Sequence, residues 1–348
     1  MDLFQITEIS DISLNNAGNK VFADITDIAS KLQFKQVKIE RKLLVKNYFD
    51  RFRRKLKCLY DWNSCYNEIK QDSIVLLQHP ILVVNNKILK KLKYNKKVKY
   101  ISVVIDIEEL RTDVCSKYHK EEFETMLGIS DILIVHNNAM VNFFVEKGIS
   151  KEKIISIESF DYLQENNNFV EFEKSISFAG NLDIKKCGFI GQLNQIKKIE
   201  INLYGSGFDN NLLNSKNIKY HGSFSPNEIT KKLNRGFGLV WDGDSVDTCS
   251  GYYGQYLKYN NPHKLSLYLS CGLPVVIWKE AAQAEFVKKN NVGICVDSLK
   301  EAEQIISNMS EKEYKNLQTS VDKISPLLCS GYFATKAINK ALNLLKLQ

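Results

Sequence analysis

The stretch from 237 to 278, FGLVWDGDSVDTCSGYYGQYLKYNNPHKLSLYLSCGLPVVIW, decides the fold. It opens on the apolar run Gly238–Trp241 and closes on another, Val275–Trp278. Between them the spacing predicts a helix, with Asn261 as N-cap, Pro262 at the first helical position and a stop at Cys271-Gly272 before Pro274. Near-continuous apolar strands joined through a helix are the unit of a parallel sheet covered on both faces.

Working outward, the same alternation fills the chain. Towards the N-terminus the expected strands are Leu3–Thr7, Val37–Ile39, Ile74–Leu77, Tyr100–Ile105, Ile132–Val135 and Ile154–Ile157. A polar stretch, Gln164–Asn168, interrupts the series. It resumes with Ile176–Ala179, Ile199–Tyr204, Ile218–Tyr220, Gly238–Trp241, Val275–Trp278 and Gly293–Val296. Ser225-Pro226-Asn227-Glu228 marks another helix start, expected to end near Gly236. The fold class is therefore α/β, with two doubly wound, Rossmann-like halves facing a cleft. Residues 1–168 form the first domain and 169–325 the second, and a C-terminal helix in 326–348 is expected to pack back on the first.

A chain of 348 residues is long enough for two cores. Its 44% apolar and 25% charged residues suit a soluble enzyme. Neither a basic, then apolar leader nor an apolar run of spanning length is found, so a cytoplasmic protein is expected. The eight cysteines are scattered, without Cys-x-x-Cys or histidine at ligand spacing, and read as reduced thiols.

Charge is uneven. Between Lys31 and Lys99 there are 19 Lys or Arg against 5 Asp or Glu. Arg51, Arg53, Arg54, Lys55 and Lys57 form one cluster, and Lys87, Lys90, Lys91, Lys93, Lys96, Lys97 and Lys99 another. Without a recognition motif the charge does not indicate nucleic acid. It suits peripheral contact with an anionic membrane, a diphosphate-linked substrate, or simple solvation.

In open parallel sheets ligands bind beyond the carboxyl ends of strands. That rule selects Gly180-Asn181, Tyr204-Gly205, Asp242-Gly243-Asp244 and Asn261–Lys264 in the second half. Asn261–Lys264 is a candidate diphosphate cradle: unpaired N–H groups and the helix dipole favour an anion, Lys264 adds a charge, and His263 a donor. The segment alone does not separate this from an ordinary capped helix with a surface lysine. Tyr204-Gly205-Ser206-Gly207 lacks the third glycine of a dinucleotide fingerprint. Asp242-Gly243-Asp244 reads either as a metal clamp or, as the parallel strand before it favours, as a contact to donor or acceptor hydroxyls.

In the first half, Asp106, Glu108 and Glu109 follow an apolar strand, with Arg111 beside them. Asp106 or Glu108 is suitably placed as the base that takes an acceptor hydroxyl's proton, with Asp161 in reserve. A solvated acidic loop is the alternative.

The segments Phe237–Gly251 and Tyr256–Ser270, together with Phe178–Leu182, Asp106–Arg111 and Phe160–Leu163, resemble the bacterial β-1,6-galactofuranosyltransferases of O-antigen and capsule assembly. More distantly, the chain is similar to the streptococcal adhesin glucosyltransferases. The resemblance spans nearly the whole chain. It implies a GT-B fold and inverting transfer from a UDP-sugar, here UDP-galactofuranose, with no metal and no cofactor. The implied acceptor is a glycan, including one carried on undecaprenyl diphosphate, and the reading leaves a homo-oligomer open. By position, Asn16, Gly18, Gly180, Asn181 and Lys185 are implied to face the nucleotide, His263 and Lys264 the diphosphate, and Glu285 the ribose. Relatives commonly carry a histidine where this chain has Ile105, which shifts the base to Asp106 or Glu108. The Glu-x7-Glu pattern of many retaining relatives is missing around Glu280–Glu285.

Overall fold

Apolar strands close into two six-stranded, all-parallel sheets in a computed structural model that describes residues 1–10, 17–41, 47–112, 115–165, 169–209 and 215–346. The first half runs β1 (Leu3–Ser10), α1 (Ala17–Lys31), β2 (Lys35–Arg41), α2 (Tyr48–Glu68), β3 (Ile74–His79), α3 (Asn86–Asn95) and β4 (Lys99–Val104). It continues through α4 (Glu108–Arg111), α5 (Lys117–Ile129), β5 (Ile132–Val135), α6 (Asn138–Glu146) and β6 (Ile154–Ser156). The second half holds β7 (Glu171–Ala179), β8 (Glu200–Tyr204), β9 (Ile218–Tyr220), α7 (Pro226–Ile229), β10 (Arg235–Val240), α8 (Gly251–Tyr256) and α9 (His263–Ser270). Then come β11 (Val275–Trp278), α10 (Ala284–Asn290), β12 (Gly293–Val296), α11 (Leu299–Asn308), α12 (Glu311–Ser330) and α13 (Tyr332–Lys346).

Every expected strand forms, within a few residues of its expected ends. The Glu228 carboxylate accepts from the Ser225 N–H at the start of α7, as the capping pattern predicts, but that helix is a single turn.

Strand order places the two crevices. The first sheet is ordered β2-β1-β3-β4-β5-β6 and the second β12-β11-β10-β7-β8-β9. Each chain path therefore reverses once, between β1 and β3 and between β7 and β10, and ligand crevices open beyond the carboxyl ends of those pairs.

Helix α9 is clamped at the second reversal. A Cβ at Gly238 on β10 would meet the Tyr268 ring at 2.1 Å, so only glycine lets that fully buried ring lie on the strand. The Tyr268 hydroxyl then accepts from the Ala179 N–H on β7 at 2.8 Å. One aromatic side chain thus fixes α9 to both strands that flank the crevice.

The chain crosses back at its end. Pro326 lies inside α12, and the turn comes at Gly331, in the left-handed region at φ +82° and packed on Ile28 of the first half. The helical return therefore begins about five residues later than the expected boundary at 326. Helix α13 then lies against α1, β4, β5 and β6. All eight cysteines are free thiols. Among the described residues no helix is long and apolar enough to cross a membrane.

Candidate active site

Lys264, on the first turn of α9, reaches into the β7/β10 crevice. Its ammonium lies 2.7 Å from Asp242 Oδ1, 3.2 Å from the Trp241 carbonyl and 4.5 Å from the centre of the Phe178 ring. Both partners of the ion pair are mostly buried, at 16% and 21% side-chain exposure, so the pair is held and not merely a surface contact. Gly180 faces the same lysine: a Cβ there would touch its Cε at 3.7 Å. Next to it, Gly205 adopts φ +144°, and a Cβ would strike the Gly180 carbonyl at 1.7 Å. Glycine at 205 is what lets the two strand-end turns lie together. Chemically, the crevice offers a cation, a helix start and bare backbone, a set suited to a phosphate group.

The helix start differs from its sequence reading. Pro262 is the N-cap residue, without a side-chain cap, and His263 is the first helical residue. Asn261 does not cap because its side chain is already committed. Its amide donates to the His136 and Glu158 carbonyls at 2.8 and 3.2 Å, and its oxygen accepts from Asn137 Nδ2 at 2.8 Å and from Gln283 Nε2. The Asn261 N–H donates to His136 Nδ1 at 2.8 Å, and burial pushes His136 down to about 3, so its ring is neutral. Asn261 is a buried knot between the two halves. His263 also faces the first half: its Nε2 lies 3.1 Å from the Asp161 carbonyl and its ring stacks on Tyr162.

Across the cleft, Asp106 follows β4. Arg111 Nη1 lies 3.3 Å from Asp106 Oδ2 and 3.3 Å from Glu108 Oε1, tying the two candidate bases to one cation. The Tyr256 hydroxyl, from α8 of the second half, donates to Asp106 Oδ1 at 3.2 Å and accepts from the Ile107 N–H at 3.0 Å. A third of the Asp106 side chain touches solvent (34%), yet the walls around it desolvate the carboxylate. Burial raises its pKa above the ordinary aspartate value, while Arg111 and the tyrosine hydrogen bond pull it down. Tyr256 was not singled out in the sequence, since nothing in its local pattern distinguishes it from a core aromatic. A single segment, 242–256, starts beside Lys264 and ends on Asp106.

The remaining candidates spread out. Asn16 lies outside the described residues, and Gly18 is in the first turn of α1. Asn181 is exposed, its side chain accepting from the Asp183 N–H, and Lys185 is exposed on the same loop. Tyr204 is a core residue, 7% exposed and stacked on His221, so only its strand-end backbone borders the crevice. Asp244 is exposed, its carbonyl held by Gln192. Glu285 is exposed on the first turn of α10 and faces Asn138 Nδ2 of the first half at 3.5 Å.

Asp161, the reserve base, is corrected to a structural role. Its buried carboxylate accepts from the Phe333 and Ala334 N–H groups at 3.1 and 2.7 Å and so caps α13. A groove of about 420 Å³ lies at the first reversal, lined by Glu8, Asn19, Thr26, Arg41, Gln78 and Leu82 among others.

With this geometry in place, similarity to known proteins is informative. The N-terminal domain of the glucosyltransferase 3-like family matches residues 4–159 and its C-terminal domain residues 176–341. The β-1,6-galactofuranosyltransferase WbbI of Escherichia coli (strain K12) is 36% identical over 257 residues, 72% of this chain and 73% of that protein. The chain belongs to the glucosyltransferase 3-like family of glycosyltransferases. Glucosyltransferase 3 of Streptococcus gordonii is 28% identical over 227 residues, 65% of each chain. Among solved structures, Anabaena HepE in complex with UDP-glucose aligns over 99% of this chain and 100% of its own, with a TM-score of 0.59 at 13% identity. That likeness shows the two-domain GT-B fold.

Proposed function

We propose that the protein transfers galactofuranose from UDP-galactofuranose to a sugar hydroxyl of a growing cell-surface polysaccharide, in a β-1,6 linkage and with inversion. The observation that carries this reading is Lys264 at the start of α9, set in the β7/β10 crevice and joined by one segment to Asp106 across the cleft. Similarity to WbbI supports galactofuranose as the sugar. The HepE complex supports a UDP-sugar as donor, since a protein of the same fold holds one.

In this reading the acceptor oxygen attacks the anomeric carbon from the first-domain side. Its proton passes to Asp106, or to Glu108 in the same Arg111 cluster, as the bond between the anomeric carbon and the diphosphate oxygen breaks. UDP leaves with the electron pair. Lys264 and the helix N-terminus stabilise the charge that develops on it, and preorganised charges of this kind are usually the largest catalytic contribution. The acceptor is a glycan, including one linked to undecaprenyl diphosphate.

A second reading, the same chemistry with UDP-glucose or UDP-galactopyranose, draws on the similarity to glucosyltransferase 3. Turnover of UDP-galactofuranose, UDP-glucose and UDP-galactose on a simple alkyl glycoside, with and without EDTA, separates them. The proposal expects product from UDP-galactofuranose alone, unaffected by EDTA. Turnover of UDP-glucose instead selects the second reading. UDP binding without transfer from any donor points to a nucleotide-binding subunit and overturns both.

A further inference from the structure

Among the described residues, helix α2 is apolar on the face that no other element covers. Its inner face buries Asp61, Trp62 and Cys65, with the Trp62 indole N–H donating to the Val83 carbonyl at 2.8 Å. At 100° per residue, Phe49, Phe52, Leu56, Leu59 and Tyr60 fall on the opposite side of the helix. With Tyr48 they are 45% to 86% exposed. Isolated exposed apolar residues are ordinary, but six large ones on three turns of one helix make a patch that water alone does not explain.

The rim of the patch has one sign. Arg51, Arg53 and Lys55 are exposed on α2, with Arg53 lying over the Phe49 ring, and Lys87, Lys90 and Lys91 are exposed on the adjacent α3. Other members of the basic region serve the fold: Lys57 pairs with Asp61, Lys93 with Asp131, Lys96 with backbone carbonyls and Lys99 with the Leu345 carbonyl. What remains outward is an apolar stripe between cationic side chains.

We infer that α2 is a docking helix that lies in the surface of an anionic lipid bilayer. The apolar stripe enters the boundary between headgroups and acyl chains, and the flanking Arg and Lys extend to lipid phosphates. Charge decides this against a second copy of the chain. A two-fold contact sets the same patch against itself, so both of its sides carry the Arg51, Arg53 and Lys55 rim, whereas anionic lipid offers the opposite charge. Helix α2 follows β2, whose last residue, Arg41, lines the groove at the first reversal. A docked α2 therefore holds that groove near the membrane surface. The inference concerns the surface alone and holds whichever sugar is transferred.

Co-sedimentation of the full chain with phosphatidylcholine vesicles, with and without phosphatidylglycerol, tests this. The wild type should pellet with anionic vesicles only. The set Phe49→Ser, Phe52→Ser, Leu56→Ser and, separately, the set Arg51→Gln, Arg53→Gln, Lys55→Gln should each weaken vesicle binding by about tenfold or more. Melting temperature and UDP affinity serve as controls, and neither set should move them appreciably. If the serine set fails to fold, the glutamine set, which alters only exposed polar side chains, carries the test. Wild-type protein that stays in the supernatant overturns the inference. So does undiminished binding by a folded variant set, or a lipid-free dimer that the serine set converts to monomer.

Discussion

Lys264 Nζ lies 2.7 Å from Asp242 Oδ1, so the cation of the candidate donor crevice is held by an acid from the neighbouring strand end. The carboxylate keeps a mostly buried ammonium paired before any anion arrives, and it aims that ammonium into the crevice.

Removing the acid should separate these two effects. Asp242→Asn leaves the partly exposed lysine without its counter-charge and is expected to cost about 1–3 kcal/mol of stability. The same change removes a negative charge from the path of an incoming diphosphate. UDP affinity, measured by titration calorimetry, should hold or tighten while the melting temperature falls.

Asp106 should behave as a base with a displaced titration. Its folded pKa is raised by burial, so the acidic limb of kcat/KM should lie above the range of an ordinary aspartate, with activity rising as pH rises through it. Asp106→Asn should lower transfer by about 10²–10⁴-fold and leave UDP affinity intact. If that variant transfers normally and Glu108→Gln does not, the proton acceptor is Glu108, two residues along. A pH–rate profile of both variants assigns the limb.

Much of this was legible in the sequence, and what was not has physical causes. All twelve strands among the described residues could be read because buried parallel strands are nearly continuous apolar runs, as in Val275–Trp278. The capping box at Ser225 and Glu228 was equally plain. Asn261 misled because asparagine before proline is a sound N-cap in isolation, whereas four partners distant in sequence claim its side chain. Tyr256 was invisible for the converse reason: its hydroxyl acquires meaning only when the second half meets Asp106. Asp161 lies in the segment that follows the last strand of the first half, where a catalytic carboxylate could lie, but the helix it caps starts about 170 residues later.

That cap carries its own pH signature. Burial lifts Asp161 to about 7, against the opposing effect of the Ala334 and Phe333 N–H groups. A carboxyl group whose folded pKa is raised contributes stability that is full below its unfolded value, near 4, and is lost as pH rises towards 7. The melting temperature of the wild type relative to Asp161→Asn should therefore increase as pH falls from about 8 to about 5. A constant difference over that range would show that Asp161 does not titrate there.

The central claim is that the β7/β10 crevice takes the diphosphate of UDP through Lys264. Calorimetric titration of UDP into wild type and Lys264→Ala tests it most directly. Loss of a charge-assisted contact should weaken UDP binding by about 10- to 100-fold in a variant that keeps its fold. An unaltered UDP affinity in folded Lys264→Ala would contradict the account.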